Sequence, residues 1–135
     1  MQASSQIEHG GHASSLGITI IEAREGWANF MLDWRDELMA RANSPIPASA
    51  PIISLMESAC EHAVWSAIDR PLSSVILSLR VDHLRPATPG RQLIGQAECY
   101  RVTKRIAFAR GVAHNGDEDD PVANVTASFF YTNIA

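Results

Sequence analysis

Residues 51–69 read PIISLMESACEHAVWSAID, and this stretch decides the fold. Apolar residues recur at Ile52, Leu55, Met56, Ala59, Cys60, Ala63, Val64, Ala67 and Ile68, the three- and four-residue steps of a helix. The stripe is wide, as it is on a helix with most of its surface buried. Pro51 suits a first turn, where its missing N–H costs nothing, and Ser49 stands ready to cap it. Arg70-Pro71 stops the run. A helix this apolar needs a sheet to cover it, and the flanking sequence supplies one.

Upstream, residues 16–22 (LGITIIE) are β-branched and end before the turn cluster Arg24-Glu25-Gly26. Residues 27–34 (WANFMLDW) alternate well enough to return as the second arm of a hairpin. Residues 35–41 predict one or two helical turns, and residues 43–49 (NSPIPAS) a loop, since two prolines deny it backbone donors. Downstream, Val75, Leu77, Leu79, Val81 and His83 alternate with Ile76, Ser78, Arg80 and Asp82, the pattern of a half-buried strand. PATPG at 86–90 predicts a turn. Strands follow at 93–102, 106–114 and 122–131, with NGDEDD at 115–120 as a hairpin tip whose Asn-Gly supplies positive φ. The expected architecture is α+β: an antiparallel sheet of about six strands wrapped around one long central helix. One helix covers only part of one sheet face, so a homo-oligomer is expected.

The chain has 135 residues, 46% hydrophobic and 19% charged, which fits a single domain over 16–135 behind a flexible lead-in at 1–15. The net charge is −4, and the tip acids Asp117, Glu118, Asp119 and Asp120 account for all of it. Residues 80–110 hold seven of the eleven basic residues and only two acids, Asp82 and Glu98, so that window is +5 and the remainder −9. Ten of the eleven basic residues are arginine, which favours forked recognition of phosphate. Nucleic acid calls for aromatics interleaved with the charge, and only Tyr100 and Phe108 are near, so a small phosphorylated ligand is the better reading. Cys60 and Cys99 sit in apolar surroundings and read as small buried hydrophobes, compatible with a reducing cytoplasm. The uncharged run at 42–56 is too short and too broken by proline to span a membrane, and the first fifteen residues lack the pattern of a secretory signal.

Glu57 is the most telling residue for chemistry. It sits two turns into the apolar helix with Ile53, Met56, Cys60 and Val64 as cylinder neighbours, which predicts a buried carboxylate of raised pKa. Glu61 lies one turn further on the same face, where two carboxylates can share a proton or a metal, or where Glu61 is simply exposed. The five histidines, His9, His12, His62, His83 and His114, show no metal-ligand spacing, so no metal is expected. No GxSxG element supports a serine nucleophile, and His9-Gly10-Gly11-His12 lies too far ahead of the helix to serve it.

Leu16-Gly17-Ile18 at the first strand, Arg85-Pro86-Ala87-Thr88-Pro89-Gly90 after the post-helix strand, and Lys104-Arg105-Ile106-Ala107-Phe108-Ala109 in the next hairpin occur in a telling order. With the order hairpin, long helix, four strands, the chain resembles the hotdog-fold thioesterases of the PaaI-like, phenylacetic-acid-degradation group, from about Leu16 to Tyr131.

That resemblance implies hydrolysis of acyl-CoA thioesters in the cytoplasm, without a cofactor, by a homodimer or homotetramer whose sites lie between subunits. It implies neither a nucleic-acid nor a membrane partner. The group's signature is His-Gly-Gly at the helix start, with an acid nine residues after the histidine. Counted back from Glu57, those three positions hold Ala48, Ser49 and Ala50, so the acid is kept and the triplet lost. Glu57 would be general base or nucleophile, and the Ala50 N–H the oxyanion donor. Asn43 is the nearest match, one residue out of step, to a loop asparagine used by some members. A strand hydroxyl used by others falls on Ile76, which has none. Arg85, Lys104 and Arg105 would lie near the CoA phosphates, and Ser49 would contact substrate. A non-catalytic acyl-CoA-binding module is the alternative, because the triplet is gone. A hotdog dehydratase would need a histidine paired with an acid, for which His62 beside Glu61 is the candidate.

Overall fold

A computed structural model describes residues 17–39 and 49–134. Six strands and two helices appear there: β1 (Ile18–Arg24), β2 (Trp27–Leu32), α1 (Asp36–Met39), α2 (Ser49–Ala67), β3 (Pro71–His83), β4 (Leu93–Val102), β5 (Ile106–His114) and β6 (Ala123–Asn133). The expected lead-in at 1–15, His9 to His12, Asn43 and Ala48, and the loop up to 48, lie outside the described residues.

The strands form one antiparallel sheet in the order β1-β2-β4-β5-β6-β3. This is the hotdog fold, with α2 lying in the hollow of the sheet, chiefly over β4, β2 and β5. The strand faces turned to it carry Ala28, Phe30 and Leu32 from β2, Leu93, Gly95 and Ala97 from β4, and Ala107, Ala109 and Ala113 from β5. Small residues dominate because the helix must come close. A Cβ on Gly95 would stand 2.9 Å from both Leu55 Cγ and Met56 Sδ.

The helix direction is set at its C-terminal end. The Gly26 N–H in the β1–β2 turn donates to Ser66 Oγ at 2.9 Å, and Gly26 takes the positive φ (74°) that the turn needs. The N-terminus of α2 therefore lies at the opposite end of the sheet, where β2 finishes at Leu32 and β4 begins at Leu93.

Three expectations are corrected here. The post-helix strand begins at Pro71 rather than Val75, because Arg70 adopts a left-handed φ of 51° and turns the chain straight into the sheet. Its simple alternation also fails. A bulge between Ile76 and Ser78 shifts the register against β6, so Val75 and Leu77 end up 61% and 55% exposed while Ile76, Leu79 and Val81 are half-buried. At the tip, Gly116 alone supplies positive φ (129°); Asn115 instead braces the loop through its carboxamide.

Candidate functional site between helix and sheet edge

The 3.6-residue period of α2 divides it into two stripes. Ile52, Leu55, Met56, Ala59, Cys60, Ala63 and Val64 are buried against the sheet. Ala50, Ile53 and Glu57 are exposed, and Glu61 and Trp65 are half-buried beside them. Glu57 is thus not the buried carboxylate that its neighbours in sequence predict. Met56, Cys60 and Val64 lie on the covered side, and Glu57 looks out of the hollow, away from the sheet that buries them.

Ala50 precedes Glu57 by seven residues, two turns, so the two share a face about 10 Å apart along the axis. At the start of α2 the first-turn N–H groups have no intrahelical acceptor, and the helix dipole places partial positive charge there. Ala50 is exposed and retains its N–H; Pro51, buried next to it, has none to give. Ser49 is half-buried in that first turn and has a partner of its own.

Glu61 is perturbed. Burial pushes its carboxyl above the ordinary glutamate range, and the Glu57 charge adds to the rise. Cys60 is shut away more completely: burial, then Cys99 and Glu57, push its thiol up to about 12. His62 points into the core, 3% exposed, its ring tilted on Phe30 at 5.5 Å and held neutral by burial. It cannot pair with Glu61 at an exposed site as a dehydratase would require. No group of metal ligands forms among the described residues.

The basic residues divide between the two ends of the sheet. Arg85 follows β3 where His83 pairs with Ala123, at the end holding the α2 N-terminus. Its Nε donates to Asp120 Oδ1 at 3.1 Å, its Nη2 to the Asp120 carbonyl at 2.9 Å and its Nη1 to the Pro86 carbonyl at 3.0 Å. Arg85 walls a cleft of about 330 Å³ together with Thr88, Arg91, Asn115, Asp117 and Asp120. Lys104 and Arg105 are exposed at the β4–β5 turn, where the Arg105 carbonyl accepts from the Tyr131 N–H. Ala123 and Tyr131 are eight residues apart on β6, so these groups are separated by about 27 Å within one chain. One chain does not bring them together.

Sequence reasoning did not single out Arg91, which lines this cleft beside Arg85 and the tip-loop residues Asn115 and Asp117. A larger hollow, about 650 Å³, lies on the outer sheet face between Trp27, Gln96, Glu98, Arg110 and Asp82. The sheet separates it from Glu57, and its arginine is already paired with Glu98 at 2.8 Å.

The sequence model described as "Thioesterase superfamily" matches residues 50–122, more than half of the chain. The chain belongs to the thioesterase superfamily. The match opens at Ala50 in the first turn of α2 and runs through β5, so it contains Glu57, Glu61, Arg85, Lys104 and Arg105. Solved structures agree on the fold of this thioesterase-superfamily chain. A Pseudomonas aeruginosa protein is 28% identical with a TM-score of 0.86, covering 97% of both chains. A thioesterase family protein of Silicibacter pomeroyi is 17% identical (TM-score 0.83, 98% of both chains). The Escherichia coli PaaI protein of the phenylacetic acid degradation operon is 21% identical, with a TM-score of 0.79 over 98% of this chain and 95% of its own. Among curated proteins no match is found. The hotdog fold and the PaaI-like resemblance read from the sequence are thereby established. Among the described residues, no helix is long and apolar enough to cross a membrane.

Proposed function

We propose that this chain is a cytoplasmic acyl-CoA thioesterase, with Glu57 as general base or nucleophile. The observation that carries the reading is the outward Glu57, two turns from the N-terminus of α2, in a thioesterase-superfamily fold. In the general-base form, the oxygen of water bonds to the thioester carbonyl carbon while Glu57 takes its proton. The carbonyl oxygen becomes an oxyanion held by the Ala50 N–H and the dipole of α2. Collapse breaks the C–S bond, and the thiolate takes the proton from Glu57. The products are a carboxylic acid and free coenzyme A. Asn43 and Ser49 would orient the thioester near that turn.

A homodimer, or a tetramer of such dimers, completes the site. β3 is an edge strand of thirteen residues with Leu72, Val75 and Leu77 exposed, an edge open to pairing. Antiparallel pairing of two β3 edges sets the Arg85 end of one copy beside the Lys104–Arg105 end of the other, three strand spacings or about 14 Å apart. Arg85, Lys104 and Arg105 would then serve one polyphosphorylated ligand, with Arg91 joining Arg85 in the cleft. Leu77→Lys should shift a dimer toward monomer in sedimentation; an unchanged mass removes the β3 interface.

Purified protein is to be tested on acyl-CoAs of graded chain length, following release of free CoA, beside Glu57→Gln. Wild type should turn over at least one, and the variant should lose about 10²-fold or more in kcat. Equal rates would end the role of Glu57. The loss of the His-Gly-Gly triplet and the proline in the first turn favour a second reading, an acyl-CoA-binding module without turnover. Calorimetry showing tight binding by a chain that hydrolyses nothing would select it.

A further inference from the structure

Lys104 and Arg105 form the tip of the β4–β5 hairpin, between Thr103 and Ile106, where the Thr103 N–H donates to the Ile106 carbonyl at 2.8 Å. A two-residue hairpin loop normally takes positive φ at one or both tip positions, because its twist then matches that of the strands. This one does not. Arg70 is the one non-glycine with positive φ among the described residues, so neither Lys104 nor Arg105 takes it. A turn of the other hand splays its strands unless something else holds it.

Two sets of bonds hold it. Within the hairpin, the Ile106 N–H donates to Thr103 Oγ1 at 3.2 Å, and that hydroxyl donates to the Ile106 carbonyl at 3.0 Å. From outside, β6 reaches across with one residue. The Tyr131 hydroxyl donates to the Thr103 carbonyl, and the Tyr131 N–H donates to the Arg105 carbonyl at 2.9 Å. Tyr131 is itself well anchored: it is 5% exposed, belongs to the core, and pairs with Ser74 on β3. The turn backbone is thus tied to the core from the residue before Lys104 to Arg105 itself. Their side chains are exposed and enter none of the three ion pairs among the described residues.

We propose that Tyr131 is a positioning residue for phosphate recognition, fixing the Thr103–Ile106 backbone so that Lys104 and Arg105 meet the phosphates of a CoA thioester already in place. Long cationic side chains lose conformational freedom when they close on an anion, and a backbone ordered beforehand reduces that loss. Tyr131 lies beneath the turn and acts through the two cations, so its weight falls on binding and not on bond breaking. The role rests on the proposed reading that Lys104 and Arg105 serve the phosphates of the ligand. The bracing of the turn does not.

The test follows hydrolysis of one acyl group carried on CoA and, in parallel, on pantetheine, which has no phosphate. Tyr131→Phe keeps the buried ring and removes only the hydroxyl. It should raise KM for the acyl-CoA about fivefold, the weight of one hydrogen bond, with kcat unchanged. On the pantetheine thioester it should match wild type. In a Lys104→Gln/Arg105→Gln background the same substitution should add nothing to KM. Equal losses on both thioesters, or a full further loss without the cations, would make the hydroxyl merely structural and overturn the role. Amide hydrogen exchange needs no turnover: the Lys104 to Ile106 amides should exchange about tenfold faster in Tyr131→Phe, and unchanged rates overturn the bracing. If wild type hydrolyses nothing, calorimetry with free CoA replaces KM, with weaker binding by Tyr131→Phe expected and equal binding overturning the role. If wild type does not bind CoA either, the phosphate reading and this role fall together, while exchange still decides whether Tyr131 holds the turn.

Discussion

The two stripes of α2 come from the same nineteen residues and follow different rules. The inner stripe is closed by the chain itself, against strands so lined with alanine and glycine that Leu55 and Met56 reach the level of the Gly95 backbone. Ile53 and Glu57 on the outer stripe are exposed, and Glu61 and Trp65 beside them are half-buried. Stability is decided on the first side, and the proposed chemistry belongs to the second.

The sharpest way to break the inner side is Gly111→Ala on β5. A Cβ there would run into the Gln96 carbonyl oxygen and come within 3.0 Å of Ala97 Cα, backbone atoms of the neighbouring strand that cannot swing aside. A loss of at least about 3 kcal/mol is expected in chemical denaturation, since even yielding cores lose 1–3 kcal/mol to an added methyl. An unchanged midpoint would show that β4 and β5 separate more easily than the pairing implies.

Leu55→Ala comes next. Leu55 is fully buried, and such truncations cost about 2–5 kcal/mol through lost transfer energy and the cavity left behind. A cost under 1 kcal/mol would mean the outer stripe also rearranges to fill the space.

The pH dependence follows from buried groups. Burial lowers the pKa of His62 and of His114, so the unfolded chain binds the extra protons as pH falls. Stability should be fully present above about pH 6.5 and decline below it. His62→Gln should make that decline shallower, and an identical acid slope would remove His62 as a contributor. Cys60 acts at the other end of the scale. Its raised thiol contributes stability present below about pH 9 and lost as pH climbs toward 12. Thiol reagents at pH 8 should accordingly label Cys60 only on unfolding.

The smallest effect sharpens the contrast most. Glu57→Gln should change stability by no more than about 0.5 kcal/mol, because the side chain is exposed. A large loss would place Glu57 in a buried network rather than on an open face.

The local elements were legible because their signals are local. β4 and β5 run over the residues that alternation assigned them, Leu93–Val102 and Ile106–His114, and α2 differs from its expected span only at the ends. Which side Glu57 takes was not legible. Its neighbours on the cylinder are apolar, and a helical projection has no knowledge of where the sheet stops. The bulge at Ile76–Ser78 was hidden for a similar reason: it is a property of pairing with β6, not of β3 alone.

The sequence by itself determined a long helix of buried type, the strands around it, the hotdog resemblance and the survival of the acid without its His-Gly-Gly triplet. Spacing along the chain carries all of these. Only the tertiary structure decided that Glu57 faces outward, that Glu61 is half-buried, and that Arg85 and Lys104–Arg105 occupy opposite ends of the sheet. Those facts depend on strand order and register, which join residues far apart in sequence. The charge window at 80–110 looked like one patch because sequence measures distance along the chain, whereas a ligand meets distance in space.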